Sequence, residues 1–314
     1  MTVVFDSKES KTALERSQVA KAGPLEVVMR LQTELDKIRN ATIADLAQQT
    51  TNVLLLGQYG AGKTTFISTV RKPVFVHSFD PNGTKYLQKI MPEDSLIVDT
   101  TFEHSTDDDL MFERWEDSFT RLRTIGMFKV CGTYVIDSLT MWTLALRKFI
   151  ARKNGRANMV LTQPDWQVFS NIVIDYVKTI TSLPCDFILT GHLSRTKDDI
   201  TGGIIKSIST TPAVRGTIPA MFDEIWVMER VIVGGKPQYK LRTKSDDTIY
   251  TRTRLGGDNV FEALEEADMK KLLQKAGADP SDRFATWTEA FESLKPKEEK
   301  ESQSCVSQDS ISEA

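Results

Sequence analysis

A glycine-rich segment near residue 60 has the residue types and the spacing of a phosphate-binding loop. Residues 57–64 read Gly-Gln-Tyr-Gly-Ala-Gly-Lys-Thr and match G-x-x-x-x-G-K-[ST]. In such a loop the glycines let successive backbone N–H groups curl around a β-phosphate. Lys63 would reach the β- and γ-phosphates, and the Thr64 hydroxyl would bind Mg²⁺. The predicted nucleotide-binding residues are Gly57, Gln58, Tyr59, Gly60, Ala61, Gly62, Lys63, Thr64 and Thr65.

An acidic residue after a later apolar run supplies the second half of such a site. Residues 133–138 read Thr-Tyr-Val-Ile-Asp-Ser, so a short apolar run ends in Asp137. An aspartate at the end of a strand holds the Mg²⁺ ion in phosphate-loop proteins. We therefore predict that Thr64 and Asp137 bind the metal. An aspartate that ends a buried strand is common by itself, so this prediction depends on the loop upstream.

Short apolar runs alternate with amphipathic segments over most of the chain. The runs that predict strands are Val53–Leu56, Val74–Val76, Ser95–Val98, Tyr134–Ile136 and Phe187–Leu189. The segments that predict helices are Leu25–Gln49, Thr64–Val70, Asp107–Arg123, Leu139–Lys153 and Pro164–Ser182. Strands that alternate with helices are typical of a parallel sheet covered by helices on both faces. The predicted fold class is therefore α/β.

The pattern changes after residue 200, where strand-like runs follow one another closely. Ile225–Val233 and Gln238–Thr243 flank the turn signal Val-Gly-Gly-Lys-Pro, and we expect them to form an antiparallel hairpin. Thr248–Arg254 is predicted as a further strand and Phe261–Ala276 as an amphipathic helix. Residues 296–314 are charged and serine-rich with few apolar side chains, so we expect them to be disordered.

Composition limits the class of protein and its partners. The formal net charge is -3 and the isoelectric point is about 5.8, so any nucleic-acid site must be a local basic patch. Three widely spaced cysteines predict neither a disulfide framework nor a zinc site and fit a reducing compartment. The sequence shows no signal peptide and no apolar run long enough to span a membrane. We expect a soluble cytoplasmic protein without a membrane partner.

Two other classes of phosphate-loop protein are weakly indicated. Thr196–Asp199 matches the guanine-reading pattern [NT]-K-x-D, but so does Thr243–Asp246, and Asp80–Gly83 is a D-x-x-G close behind the loop. The repetition shows how easily these patterns arise by chance. A small-molecule kinase should carry an arginine-rich lid, and the sequence has no such segment.

The order of the motifs resembles that of the RecA-like ATPases. The stretches that carry the resemblance are GQYGAGKTT, YVIDSLT, LTGHLSRTKDD, TPAVRGTIPAMFDEIW and YKLRTKSDDTIYTRTR, over roughly residues 51–256. More narrowly, the chain looks like phage-encoded nucleotide-binding proteins related to the RecA core, some of which anneal single strands in recombination. The resemblance implies a RecA-like, mostly parallel sheet flanked by helices, followed by a C-terminal antiparallel hairpin.

The resemblance also implies roles for particular residues. Asp80 occupies the place of the acid that activates water, with Asp99 and Glu103 as alternatives. His192 ends a strand where related proteins keep a polar sensor of the γ-phosphate. Lys240 and Arg242 form a K-x-R on one face of a strand, and hexameric helicases of the DnaB type carry such a pair across to the neighbouring subunit's γ-phosphate. The predicted catalytic residues are thus Lys63, Asp80, Asp137, His192, Lys240 and Arg242.

Two basic segments are candidates for contact with DNA. RecA-like proteins bind single strands through two loops, and the corresponding segments here are Arg152–Arg156 and Ser194–Gly216, the second predicted as a long flexible loop. Both segments lack aromatic residues, which favours contact with phosphates over base stacking. The candidate residues are Arg152, Lys153, Arg156, Arg195, Lys197, Lys206 and Arg215.

These observations predict one function and keep two alternatives. The prediction is a Mg-ATP-dependent DNA recombination or annealing protein that forms a homo-oligomer, binds single-stranded DNA and works beside a single-strand-binding protein in a host cytoplasm. The alternatives are a motor ATPase of the same core and an adaptor that binds nucleotide without hydrolysing it. The predicted parts are an N-terminal extension with a helix (1–50), the ATPase core (51–260), a helical segment (261–295) and the tail (296–314).

Overall fold

The structure, a computed structural model, describes residues 24–47, 50–103, 109–156, 160–197, 202–256 and 259–295. The chain divides into two compact units, residues 1–49 and 50–314. In the first unit, helix α1 spans Pro24–Ala47. The predicted tail over 296–314 lies outside the described residues. No helix of the described part is long and apolar enough to cross a membrane.

An eight-stranded sheet forms the centre of the second unit, as far as the described residues go. Its strands are β1 (Asn52–Gly57), β2 (Val74–Ser78), β3 (Leu96–Asp99), β4 (Thr133–Asp137), β5 (Asp186–Gly191), β8 (Glu224–Val233), β9 (Lys236–Arg242) and β10 (Leu264–Glu266). Their order is β10-β9-β8-β1-β5-β4-β2-β3, and the neighbours from β8 to β3 are all parallel. Strands β9 and β10 pair antiparallel to their neighbours. The predicted fold class, a mostly parallel α/β sheet flanked by helices and followed by a C-terminal antiparallel hairpin, is confirmed.

Short and long helices alternate with these strands. They are α2 (Lys63–Ile67), α3 (Lys85–Ile90), α4 (Met111–Thr124), α5 (Leu139–Lys153), α6 (Gln163–Thr181), α7 (Pro212–Thr217), α8 (Met269–Lys275) and α9 (Trp287–Ser293). In the described part of the chain, short 3₁₀ helices occur at Glu93–Ser95, Met127–Lys129 and Ile218–Met221. A separate two-stranded hairpin consists of β6 (Leu193–Lys197) and β7 (Ile204–Ile208).

The core has two parts, one on each face of the sheet. Side chains alternate along β1, so Leu54 and Leu56 join one cluster while Val53 and Leu55 join the other. The first cluster is rich in aromatic side chains of α4 and α5, among them Trp115. Because both faces of the central strands are buried, these strands have continuous apolar runs, as in other helix-covered parallel sheets.

The hairpin predicted around Gly234 and Gly235 is present. These two glycines connect β8 to β9, with Val233 opposite Lys236, and have φ angles of 57° and 79°. Two successive residues with positive φ form the tight turn that matches the twist of an antiparallel pair, and glycine adopts this conformation without steric strain.

Three predictions of elements were wrong. Thr248–Arg254 makes only isolated bridges, because the Asp246 carboxylate accepts from the Thr248 and Ile249 amides and turns the chain there. Phe261–Ala276 is not one helix, since its first part forms β10 and Asp268 caps α8 by accepting from the Lys271 amide. Within Ser194–Gly216, the described residues form most of hairpin β6–β7 and helix α7 rather than a flexible loop.

Candidate functional site

The glycine-rich loop joins the buried strand β1 to helix α2 at the carboxyl end of the sheet. Gly60 and Gly62 have φ angles of 70° and 94°, which residues with a side chain rarely adopt. A Cβ atom on Gly62 would also lie 3.2 Å from side-chain atoms of both Met228 and Tyr239. The glycine at this position therefore meets both a conformational and a packing requirement. It lets the loop close over the hairpin strands β8 and β9.

The Lys63 side chain is folded back into its own loop. Its ammonium nitrogen donates to the carbonyl oxygens of Gly57 and Gln58 at 3.0 and 3.1 Å. Burial lowers the pKa of Lys63, while the charges of Asp137 and Asp80 oppose that shift. Hydrogen bonds between charged partners are stronger than those to neutral carbonyls, so a phosphate entering the loop would compete well for this ammonium group.

The buried carboxylate Asp137 ends strand β4 beside the loop. It is only 3% exposed, and its Oδ1 accepts a hydrogen bond from the Thr190 hydroxyl on the neighbouring strand β5. Burial, with a contribution from the charge of Asp80, raises the pKa of Asp137 to about 6; the Thr190 hydrogen bond and the charges of Lys63 and His192 act against the rise. A carboxylate in this position, with the Thr64 hydroxyl lining the same cleft, offers the hard oxygen ligands that Mg²⁺ prefers.

Asp80 and His192 lie in one polar chain that reaches Lys63. The Ser138 hydroxyl donates to Asp80 Oδ1 at 2.7 Å, and His192 Nε2 lies 3.3 Å from Asp80 Oδ2. The other ring nitrogen of His192 lies 3.4 Å from Lys63 Nζ. The ring of Tyr59 stacks on that of His192 at a centroid distance of 4.1 Å. The structure thus brings together four of the six predicted catalytic residues.

Of the three acids considered for water activation, only Asp80 lines the cleft. The carboxylate of Asp99 accepts from the Thr101 amide and lies 3.9 Å from buried His77. The Glu103 carboxylate accepts from the Asn82 amide and the Thr84 hydroxyl, so it holds the turn that follows Asp80. Neither of these two lines the loop cleft.

The cleft over the loop has a volume of about 820 Å³ and an aromatic rim. Tyr59, Tyr86 and Tyr239 line it and are 82%, 56% and 49% exposed. The remaining lining residues are Gly60, Ala61, Gly62, Lys63, Thr64, Thr65, Asp80, Pro81, Gly83, Asp137, Met141 and His192. A volume of this size lies within the range of small-molecule and cofactor sites. The glycine-rich loop, the buried carboxylate of Asp137 and the cleft have the arrangement expected of a nucleotide site in a P-loop protein.

A family model described as AAA domain matches residues 49–255. The chain belongs to this family. The matched part begins before β1 and includes the loop, Asp80, Asp137, His192 and hairpin β8–β9. The family is one of P-loop ATPases and implies a nucleotide ligand.

Comparisons of other kinds add little to the family assignment. No curated protein matches the chain. Among solved structures, the chain is similar to a KaiC-like protein from the hyperthermophilic archaeon Pyrococcus horikoshii. That similarity has 12% sequence identity and a TM-score of 0.36, and it covers 61% of this chain and 78% of the other.

The AAA domain does not place Lys240 and Arg242 in its own cleft. Side chains alternate between the two faces of β9, and Tyr239, which lines the cleft, directly precedes Lys240. Lys240 and Arg242 therefore both lie on the face opposite Tyr239. The Arg242 guanidinium donates to both carboxylate oxygens of Glu229, at 2.9 and 3.0 Å, and lies 3.2 Å from Asp246. A contact of this pair with a neighbouring subunit's nucleotide stays a prediction.

The first DNA candidates, at the end of α5, are engaged within the AAA domain. Arg152 pairs with Glu113 at 2.6 Å, and Lys153 lies 5.5 Å from the centroid of the Phe149 ring. Arg156 pairs with Asp165 at 2.9 Å. These contacts give the first basic segment a role in joining α5 to α4 and α6.

The DNA candidates of the second basic segment differ in their contacts: Arg215 is bonded within the chain, whereas the other candidates lie on the surface of hairpin β6–β7. Arg215 donates to the backbone carbonyls of Ile208 and Thr210, at 3.2 and 3.0 Å, and so fixes α7 to the end of β7. Arg195 and Lys197 are exposed on β6, and Arg195 lies directly opposite the partly exposed Lys206 on β7. The basic surface of the hairpin consists of these three residues: Arg195, Lys197 and Lys206.

Sequence reasoning missed four residues of the site. Ser138 and Thr190, which bond Asp80 and Asp137, adjoin motif residues in the sequence, and that proximity was the available signal. Tyr86 had no such signal, because it reaches the cleft only through the fold, whereas Tyr239 directly precedes Lys240 in the sequence.

Proposed function

We propose that this protein is a Mg-ATP-dependent ATPase that binds single-stranded DNA and acts in recombination or strand annealing. The ATPase part of the proposal is supported by the family, the loop, and the convergence of Lys63, Asp80, Asp137 and His192 on one cleft. The DNA part is supported by the basic surface of hairpin β6–β7. Oligomerisation, with Lys240 and Arg242 reaching a neighbour's nucleotide, belongs to the same proposal, as does a single-strand-binding partner.

The hydrolytic step is assigned to the polar chain around Asp80. ATP would place its β- and γ-phosphates against Lys63 and the loop amides, and Mg²⁺, held by Thr64 and Asp137, would neutralise phosphate charge. Asp80 would orient a water molecule and accept its proton as the water oxygen bonds to the γ-phosphorus and the bond to the β–γ bridging oxygen breaks. Ser138 holds one carboxylate oxygen of Asp80 at 2.7 Å, which leaves the other facing His192 and the cleft.

One observation carries the DNA part of the proposal. Arg195 and Lys206 are direct cross-strand neighbours on β6 and β7, and like charges in that position destabilise an antiparallel pair. A bound phosphate backbone would relieve the repulsion. His192 lies immediately before β6, and its carbonyl accepts from the Ser209 amide just after β7 at 2.8 Å. A phosphate contact at His192 would therefore act on both strands at the base of the hairpin.

The test is ATP hydrolysis by the purified protein without nucleic acid, with single-stranded DNA and with duplex DNA. Lys63→Ala supplies the blank. We expect single strands to stimulate hydrolysis and Arg195→Ala/Lys206→Ala to lose the stimulation while keeping the basal rate. The matched control is Lys178→Ala, which removes an exposed lysine near the end of α6, at the amino end of the sheet.

Binding measured against salt concentration separates the two parts of the proposal. Loss of two phosphate contacts should reduce the slope of log K against log salt by about 1.4 in the double variant. ATP turnover that is indifferent to DNA, with no DNA binding in the presence of ATP, would overturn the DNA part alone. Nucleotide binding without turnover under all three conditions would favour the adaptor.

A further inference from the structure

Helix α1 presents a row of exposed apolar side chains. Every side chain from Val28 to Asn40 is exposed, although the helix contains several large aliphatic residues. Val28, Leu31, Leu35 and Ile38 are 49%, 58%, 51% and 62% exposed. Helices in proteins usually draw most of their stability from the packing of an apolar face, so exposed aliphatic side chains on one helix indicate an interface.

The four aliphatic residues follow the spacing of a two-stranded coiled coil. Their separations are three, four and three residues, so Val28 and Leu35 occupy a positions while Leu31 and Ile38 occupy d positions of two heptads. A β-branched residue at a with leucine at d, as in the first heptad, favours two parallel strands, whereas leucine at a with isoleucine at d, as in the second heptad, favours larger bundles. The seam therefore fits other helices of the same kind, and the choice of a pair rests on the charges beside it.

The charges beside the seam fit a second copy of α1 in a parallel orientation. In this heptad assignment Glu34 occupies a g position and Arg39 the following e position. In a parallel pair, g of one helix lies beside the following e of its partner, so two Glu34–Arg39 ion pairs would form. An antiparallel pair brings g positions together and would place the two Glu34 side chains near each other.

Existing contacts within α1 leave these charges able to pair across an interface. Glu34 contacts Lys37 at 2.6 Å and Arg39 contacts Asp36 at 3.5 Å, each three residues apart. All four side chains are 64–72% exposed, and exposed pairs of this kind add little stability. Replacing these ion pairs within α1 by ion pairs between two helices would therefore cost little stability.

We infer that α1 pairs with α1 of a second copy of this chain as a short parallel coiled coil, and that the pairing forms without nucleotide. This inference does not depend on ATP hydrolysis or DNA binding. It gives the protein a means of association separate from the proposed subunit contact at Lys240 and Arg242. The occupant of the apolar seam is the identical seam of the partner.

The first test measures the molar mass of the full chain by light scattering without nucleotide. We expect a dimer, and we expect Leu31→Asp/Leu35→Asp to give a monomer with the circular dichroism and melting temperature of the core unchanged. Thr33→Asp, on the opposite side of the helix, is the matched control and should stay dimeric. A monomeric wild type, or a double variant with unaltered mass, would overturn the inference.

The second test keeps the helix intact and changes only the flanking charges. Glu34→Arg or Arg39→Glu alone should raise the dimer dissociation constant about tenfold, since each creates two repulsive pairs, and the double reversal should restore it. Single reversals without effect, or a double reversal that stays weak, would overturn the parallel arrangement.

Cysteine cross-linking gives the orientation directly. In a Cys305→Ser background, Leu31→Cys should form an intermolecular disulfide, because identical d positions face each other only in a parallel pair. The control Thr33→Cys should not. Absence of cross-linking at residue 31 would overturn the parallel pair. Binding of a monomer to phosphatidylglycerol vesicles, lost in Leu31→Asp/Leu35→Asp, would assign the seam to a lipid surface instead.

Discussion

Asp137 and Asp186 are buried aspartates on neighbouring parallel strands, yet their surroundings differ. Asp137 ends β4 at the carboxyl edge of the sheet, and Asp186 begins β5 at the amino edge. They are 3% and 2% exposed, and burial raises the pKa of both carboxyl groups. The groups that oppose this rise in pKa differ between the two edges of the sheet.

The carboxylate of Asp186 has its partners within the chain. Arg71 donates to both of its oxygens, with a distance of 2.7 Å from Nε to Oδ2, and the Thr51 amide donates at 2.8 Å. Asp137 has one hydroxyl donor, Thr190, and faces a cleft of about 820 Å³. A buried charge with a complete set of partners supports the fold, whereas one left partly unpaired beside a cleft can bind a cation.

Removing Asp186 should have the largest effect on stability. Asp186→Ala would leave the partly buried Arg71 guanidinium without its carboxylate, and breaking a largely buried pair in this way costs about 3 kcal/mol. Urea unfolding measures the loss as a lower midpoint with an unchanged slope. Arg71→Leu/Asp186→Leu should recover much of the loss, because no charge then remains buried. A loss below about 1 kcal/mol would contradict the structural role.

Removing the charge of Asp137 should increase the stability of the folded protein, in contrast to the loss expected for Asp186→Ala. Its carboxyl titrates at about 6 in the folded protein against an ordinary value of 3.8, so the ionised form opposes folding. At neutral pH, Asp137→Asn should therefore raise the free energy of unfolding by about 3 kcal/mol without nucleotide, while ATP hydrolysis is lost.

The pH dependence of stability tests independently whether ionised Asp137 destabilises the folded protein. The folded protein holds a proton on Asp137 that the unfolded chain has released, in the window between pH 3.8 and about 6. Wild-type stability relative to Asp137→Asn should fall as the pH rises through this window, and the two should converge below it. A gap that stays constant from pH 4 to 7 would show that ionisation of Asp137 is not its cause.

The two edges also differ in how far the sequence predicts them. The loop and Asp137 are predictable, because glycine spacing and an apolar run before an acid are local patterns. The partners of Asp186 are not, because Arg71 lies 115 residues away, in the connection between α2 and β2, and meets Asp186 only in the folded sheet. The same holds for Thr190, which reaches Asp137 across 53 residues.

The mistaken elements have a similar physical reason. Strand β10 forms because Leu264–Glu266 pairs with β9, a contact that outweighs the helical periodicity of the segment. Hairpin β6–β7 is held by a contact from the Lys206 amide to the Thr248 carbonyl at 2.7 Å, which no local signal indicates. Arg242 was predictable as a basic residue on a strand, but its pairing with Glu229 depends on the register of β8 and β9.

The smallest effect we predict concerns a hydrogen bond that orients an acid of the cleft, as Arg71 holds Asp186 at the amino edge of the sheet. Ser138→Ala removes the 2.7 Å donor to Asp80 and leaves that carboxylate free to turn. We expect kcat for ATP to fall about tenfold, about 1.4 kcal/mol in the barrier, with KM little changed, because the bond orients the acid rather than the nucleotide. Thr143→Val, which removes a hydroxyl that bonds only within α5, is the matched control and should keep the wild-type rate. A Ser138→Ala variant with full kcat would contradict the orienting role of this hydrogen bond, because Asp80 would then be held well enough by its contact with His192.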